Sequence, residues 1–132
     1  MGAEGALRGC LRAGFWVPLA ACTYLALTPS PPDAVFQVSD VVLHGGAFAY
    51  LTFALTLAHP KADGWPAAGS MLGYGLLLEV LQSFEPARTA ELKDLLVDLA
   101  GIALGLSLAR VAGEPVRRLL RRLIELLLVR AG

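Results

Sequence analysis

The stretch KDLLVDLAGIALGL (residues 93–106) decides the fold, because it is long and apolar yet carries acidic residues at helical spacing. Asp94 and Asp98 lie four residues apart, and therefore on one face of a helix. Two further polar pairs with comparable spacing are Asp40 with His44, and Glu79 with Gln82. Polar groups inside apolar helices are costly in a membrane and usually have a function there.

The composition indicates a protein that is solvated by lipid. The chain has 132 residues, which is enough for one domain, and 56% of them are hydrophobic while only 17% are charged. Soluble domains carry about 25% charged residues. Cys10 and Cys22 are too few for a disulfide framework or a zinc site, so we interpret both as unpaired thiols.

Four apolar stretches follow one another along the chain, at residues 11–27, 41–58, 65–84 and 95–112. Each has about 17 to 20 residues, near the length of helix that crosses a hydrocarbon core of roughly 30 Å. We therefore predict an all-α integral membrane protein with a four-transmembrane-helix bundle in residues 1–112, and a kink in the first helix at Pro18. An alternative for the first stretch is a cleaved signal peptide.

The C-terminal segment, residues 113–132, predicts a separate amphipathic helix. Pro115 occupies a favourable first helical position, and five apolar side chains then form one face that the arginines largely avoid: Leu119, Leu120, Leu123, Ile124 and Leu127. A basic amphipathic helix beside a membrane is typical of one that lies in the interface on anionic lipid. The alternative is a helix that packs on the cytoplasmic ends of the bundle.

The distribution of lysine and arginine predicts the orientation. With a cytoplasmic N-terminus, nine of the eleven lie inside: Arg8, Arg12, Lys61, Arg110, Arg117, Arg118, Arg121, Arg122 and Arg130. Only Arg88 and Lys93 then lie outside. By the positive-inside rule, this bias predicts a multi-pass membrane protein with both termini in the cytoplasm.

This orientation brings three polar residues to a common depth. His44 and Asp98 both lie about 6 Å below the outer ends of their helices, and Glu79 lies about 7 to 8 Å below, at 1.5 Å per residue. Arg88 and Lys93 belong to the loop region just above. We therefore predict a polar pocket that opens to the outer face. Its candidate binding residues are Asp40, His44, Glu79, Gln82, Arg88, Asp94 and Asp98.

The residue types in this pocket restrict its chemistry. Buried carboxyl groups must pair, take up a proton or face water, and such groups are candidates for acid–base work or for binding a cation or a lipid headgroup. The structural alternatives are a core histidine at His44, hydrogen bonds between helices from Glu79 and Gln82, and an N-terminal helix cap at Asp94. Tyr50 and Tyr74 are interpreted as packing residues.

Cofactors and nucleic acid are not expected. Two acids and one histidine can in principle hold a divalent ion, but their spacing matches no standard ligand motif, so we predict no metal. The sequence has no phosphate loop or haem motif, and its arginines follow a membrane helix instead of forming a soluble basic face. Two small-xxx-small patterns, Gly69 with Gly73 and Gly101 with Gly105, predict close helix packing.

An ordered set of these residues resembles the VanZ-like membrane proteins. The set comprises Asp40, His44 and Tyr50, then Glu79-x-x-Gln82, Arg88 after Pro86, and Asp94-x-x-x-Asp98-x-x-Gly101-x-x-x-Gly105. The resemblance covers residues 40–106. The family is named for a protein that lowers sensitivity to teicoplanin, and it often has asparagine where this chain has Asp98.

The resemblance implies a small bacterial inner-membrane protein, and three functions remain open. The first is an accessory protein whose outward pocket binds a lipid, an envelope component or a lipophilic glycopeptide, as in teicoplanin resistance. The second is an intramembrane enzyme that acts on lipid headgroups, with Glu79 or Asp98 as general acid or base and Arg88 on a phosphate. The third is a structural membrane subunit. The sequence does not determine the oligomeric state.

Overall fold

The structure is a computed structural model that describes residues 2–28, 40–84 and 92–131. Within these ranges the chain is all-helical, as predicted. Four α-helices follow in order: α1 (Ala3–Leu27), α2 (Asp40–Ala58), α3 (Trp65–Gln82) and α4 (Leu92–Ala131). A short 3₁₀ helix at Pro60–Ala62 lies between α2 and α3.

Local sequence explains several helix boundaries. Gly64 precedes α3 with a φ of 72°, a left-handed conformation that glycine adopts without a steric penalty, and Pro66 follows in the first turn. Pro18 lies inside α1 and does not end that helix. Asp94 was considered as the N-terminal cap of α4 but is the third residue of that helix, in the first turn, where its negative charge faces the positive end of the helix dipole.

The closest contact in the bundle joins α2 and α4. A Cβ atom added to Gly101 would lie 2.5 Å from the Gly45 carbonyl oxygen, and one added to Gly105 would overlap the Ala49 carbonyl oxygen. Gly113 approaches Leu57 further along both helices. Because the order of contacts is the same on both helices, α2 and α4 run parallel. The prediction that Gly101 and Gly105 allow close packing is confirmed.

Helices α1 and α3 complete the bundle. The Tyr50 hydroxyl donates a hydrogen bond of 2.7 Å to the Gly14 carbonyl, which joins α2 to α1. The Thr23 and Tyr74 hydroxyls are hydrogen-bonded at 2.9 Å and join α1 to α3. The buried core between the helices is apolar and contains Phe15, Phe48, Leu51, Ala54, Leu55, Ala67, Met71 and Ile102.

The outer surface of the bundle is apolar, as expected for a protein in lipid. Val17 is 66% exposed, Val80 56% and Val111 79%, whereas Asp98 and Thr52 are buried. Three helices are long and apolar enough to cross a membrane: α1, α2 from Val41, and α4 from Lys93 to Arg130. Helix α3 is not among them, because polar and small residues lower its hydropathy, so a fourth span stays a prediction.

The C-terminal segment is not a separate helix. Helix α4 continues without interruption through Pro115 to Ala131, so the predicted helix start at Pro115 is wrong. Pro115 lacks an N–H group and leaves the Val111 carbonyl without its helical hydrogen bond. Both residues are exposed, so that carbonyl can bond to solvent instead. At 40 residues, α4 is about 60 Å long, twice the thickness of a hydrocarbon core.

This C-terminal part of α4 contacts the neighbouring helices. Arg117 donates hydrogen bonds of 3.1 and 2.5 Å to the carbonyls of Thr56 and Leu57 at the end of α2. Arg121 forms an ion pair of 2.7 Å with Glu4 at the start of α1. The contacts agree with the alternative of packing on the ends of the bundle, and they place both ends of the described chain on the same side.

The second glycine pair does not pack within the chain. Gly69 and Gly73 are exposed on α3, and a Cβ atom added to either would meet no atom within 4 Å. The prediction that this pair brings helices together is therefore not met within one subunit. Their neighbour Gly75 makes the close contact of α3 instead.

Candidate functional site

The candidate site is centred on the carboxyl group of Asp98, which is almost completely buried. Its side chain is 3% exposed, and its Oδ1 atom lies 3.4 Å from Nδ1 of His44, whose side chain is 26% exposed. Oδ1 finds no hydrogen-bond partner among the residues that the structure describes. The predicted convergence of His44 and Asp98 is therefore confirmed, as a close pair without a formed hydrogen bond.

Small residues allow this pair to form. Gly45 follows His44 on α2, and Gly101 lies one turn after Asp98 on α4. Because their backbones approach so closely, the short aspartate side chain comes near the imidazole on the neighbouring helix. The sequence holds a further indication of this close contact. Gly45 and Ala49 form a small-xxx-small pattern on α2 opposite Gly101, and the prediction of close packing did not use it.

Helix α3 closes the third side of the site. A Cβ atom added to Gly75 would lie 3.0 Å from Oδ2 of Asp98 and 3.2 Å from the ring of Phe48. That ring packs against Tyr74 with a centroid distance of 5.8 Å. The carboxyl group of Asp98 thus lies among three helices, and sequence analysis missed Gly75 because its contact depends on the rotation of α3.

The other predicted residues on α3 have different positions. Glu79 is half-buried and lies one helical turn after Gly75, at the same end of the bundle as Asp98. Gln82 is buried, but its Nε2 donates a hydrogen bond of 3.0 Å to the carbonyl of Ala26 on α1. Gln82 therefore joins α1 to α3, and the structural alternative describes it better than the pocket prediction.

Of the remaining predicted residues, only Asp94 is described with its side chain. Asp94 is half-buried, one turn before Asp98 on the same face of α4. Asp40 begins α2, but its side chain lies outside the described part of the structure, as does all of Arg88. The structure therefore leaves their predicted places at the mouth of a pocket untested.

The chemistry of the pair is that of an acid beside an imidazole. A carboxylate accepts hydrogen bonds only, whereas a neutral imidazole can donate one and accept one. Together they can transfer a proton, or accept donors from a ligand that reaches the buried oxygen. Within the described ranges, no group of three or more histidine, cysteine or acidic residues is arranged to hold a metal ion.

Comparison with known proteins gives one match. A family model described as VanZ/LLP1 matches residues 15–113, a range that contains α2, α3 and the first 22 residues of α4. The match extends further in both directions than residues 40–106, on which the resemblance rested. No curated protein and no solved structure matches the chain.

Proposed function

Because the chain belongs to the VanZ/LLP1 family, we propose that this VanZ-like membrane protein binds the polar headgroup of a lipid or envelope component at the His44–Asp98 site. The site lies in the outer half of a bacterial inner membrane, and both termini are cytoplasmic. All four helices cross the membrane in this topology.

The charge distribution and the helix directions support this topology. Arg117 and Arg121 lie at the end of the bundle that holds the start of α1, and Asp98 lies near the opposite end. Positive residues favour the cytoplasmic side, which leaves Asp98 near the outer one. Helix α3 has 18 residues, about 27 Å, and is hydrogen-bonded to α1 through Tyr74 and Gln82, so it has the length and a neighbour of a fourth span.

The observation that carries the proposal is the buried Oδ1 of Asp98, which lies 3.4 Å from Nδ1 of His44 but accepts no hydrogen bond from the residues that the structure describes. A buried carboxylate without hydrogen bonds is strongly destabilising, and buried acids in membranes are rare unless they serve a function. A purely structural contact would be expected to satisfy both oxygens. An oxygen that is left without a partner is suited to accept a donor from a ligand.

The ligand is expected to present a hydroxyl or ammonium group at the depth of lipid headgroups. Membrane phospholipids, envelope lipids and lipophilic glycopeptides all carry such donors together with an acyl chain. The acyl chain would lie along the apolar outer surface of the bundle, and the donor group would reach Oδ1 of Asp98 past the partly exposed ring of His44.

The test is to identify molecules that co-purify with the protein in mild detergent, by mass spectrometry. The Asp98→Asn variant keeps the shape of the side chain but removes its charge and one acceptor, so we expect it to lose at least 80% or so of the bound molecule, since one charged hydrogen bond contributes about 1.5 to 3 kcal/mol. Tyr50→Phe is the matched control, because it removes a hydrogen bond between helices away from the site. Equal amounts in wild type and Asp98→Asn would refute the proposal.

A structural role is the second candidate, because His44 and Asp98 come from different helices and can hold α2 against α4. In that case, Asp98→Asn would lower the stability in detergent without changing bound lipid or any sensitivity to glycopeptides. Hydrogen bonds between membrane helices contribute only about 0.6 to 2 kcal/mol, so the variant should still fold. A folded variant that has lost its ligand separates the two functions.

A further inference from the structure

A second cleft lies at the opposite end of the bundle from Asp98. It has a volume of about 580 Å³ and lies between α1 and the first half of α3, with the segment after α2 at its base. Its walls are mainly apolar and include Phe15, Leu19, Leu55 and Met71. The volume is within the range of sites that hold small molecules, about 300 to 1,000 Å³.

One end of this cleft is polar and positively charged. Lys61 and His59 line it there, with Ser70 on the facing side of α3. Nε2 of His59 is buried and has no hydrogen-bond partner among the described residues. The His59 ring is held edge-on by Phe15 and Trp16, at centroid distances of 6.1 and 6.2 Å. The cleft therefore combines an apolar channel with a cation and an unsatisfied polar atom.

The depth of the cleft matches the edge of the cytoplasmic leaflet. Trp16 is 54% exposed and its ring lies 6.2 Å from that of His59, and Trp65, which is 91% exposed, directly precedes Pro66 in the cleft lining. Exposed tryptophans mark the interface between hydrocarbon and headgroups. From Pro66 to Tyr74, α3 follows the cleft for about 12 Å at 1.5 Å per residue, so the cleft extends from this interface into the hydrocarbon.

We propose that this cleft binds an anionic phospholipid of the cytoplasmic leaflet. The phosphate accepts hydrogen bonds from the Lys61 ammonium and from an N–H at Nε2 of His59, while one acyl chain lies against Phe15, Leu19 and Met71. A net negative headgroup suits the site because Lys61 adds a positive charge and, among the residues that the structure describes, no carboxylate lines the cleft. This site rests on the topology proposed above, but it is separate from Asp98 and does not depend on ligand binding there.

The two tryptophans of the chain provide a direct assay. The Trp65→Phe variant leaves Trp16, which lines the cleft, as the single tryptophan. It is reconstituted in vesicles of brominated phosphatidylcholine, which quenches tryptophan, with increasing amounts of unbrominated phosphatidylglycerol. We expect phosphatidylglycerol to relieve quenching with a preference of about fivefold over phosphatidylcholine, the contribution of one lysine near a membrane surface.

Two further variants in the Trp65→Phe background test the residues. Lys61→Gln should reduce the preference to about onefold, whereas Arg110→Gln, which removes a charge on α4 that does not line the cleft, should leave it unchanged. Ser70→Phe should fill the cleft and protect Trp16 from brominated lipid without any change of charge. Circular dichroism confirms that each variant is helical.

Several results would overturn the proposal. A preference near onefold in the Trp65→Phe protein would mean that the cleft does not select an anionic lipid. Equal losses in Lys61→Gln and Arg110→Gln would mean that the preference comes from the general positive charge of this end. Unchanged quenching of Trp16 in Ser70→Phe would mean that no lipid chain occupies the cleft.

Discussion

The contact between α2 and α4 predicts that Gly105→Ala destabilises the protein although alanine favours helices. The added Cβ would lie 2.7 Å from Cβ of Thr52, whereas ordinary contacts are 3.4 to 4 Å, and it would also overlap the carbonyl oxygen of Ala49. The Ala49 carbonyl oxygen is a backbone atom, and Cβ of Thr52 is bonded directly to the backbone. Because packed interiors leave little room, the two helices must separate by about 0.7 Å or more.

The two opposing free energies can be compared. Overpacking costs about 1 to 3 kcal/mol, and replacing a helical glycine by alanine gains about 0.5 to 1 kcal/mol. Because the added Cβ would lie under 3.0 Å from atoms that cannot turn away, the cost belongs in the upper half of its range, and the net expectation for Gly105→Ala is a loss of about 1 to 2.5 kcal/mol. Gly73→Ala is the matched control on α3, because its new methyl group meets no atom within 4 Å and should leave stability unchanged or higher by up to about 1 kcal/mol.

Equilibrium unfolding in mixed micelles, followed by circular dichroism, measures both changes. The reasoning would be refuted if Gly105→Ala were as stable as wild type, because the two helices would then not be in close contact. A loss of stability in Gly73→Ala would show instead that the exposed face of α3 packs against a second copy of the chain.

Three further predictions follow from the other contacts. Arg117→Met should lower the free energy of unfolding by about 1 kcal/mol, because it removes a cation from the C-terminal end of α2. Unchanged stability in the micelle assay would contradict this prediction. Tyr74→Phe should cost about 0.6 to 2 kcal/mol through the lost bond to Thr23, and the Tyr74→Phe, Thr23→Val double mutant should cost no more than either single change. In a cysteine-free background, Lys93→Cys should react with an impermeant maleimide in intact spheroplasts, whereas Arg122→Cys should react only after permeabilisation. The reverse pattern would show that the proposed topology is inverted.

Sequence reasoning succeeded where depth along a helix was enough. The length of the apolar stretches gave the helices, and counting residues from their outer ends brought His44 and Asp98 to one level. It failed where rotation about the helix axis decides the contact. Gln82 lies at the right depth, yet its side chain reaches α1. Gly73 and Gly75 differ by two residues, and only Gly75 contacts a neighbouring helix.

The prediction that a new helix begins at Pro115 is wrong for a different reason. Proline favours the first turn of a helix, so Pro115 indicated a new start. The same residue is tolerated inside a helix where the carbonyl that it leaves unbonded is exposed, and this depends on how the surrounding chain packs. The side chains of Arg117 and Arg121 then hold the continuous helix against α2 and α1, respectively.

The low hydropathy of α3 has a consequence for biogenesis. Helices α1 and α2 are long and apolar enough to cross a membrane, but α3 carries polar groups that lipid does not satisfy. Two of these groups, on Tyr74 and Gln82, bond to α1, which leaves the ribosome first. The order of synthesis therefore supplies the partner before the dependent segment emerges, and a chain without α1 would present α3 to the insertion machinery with those groups unsatisfied.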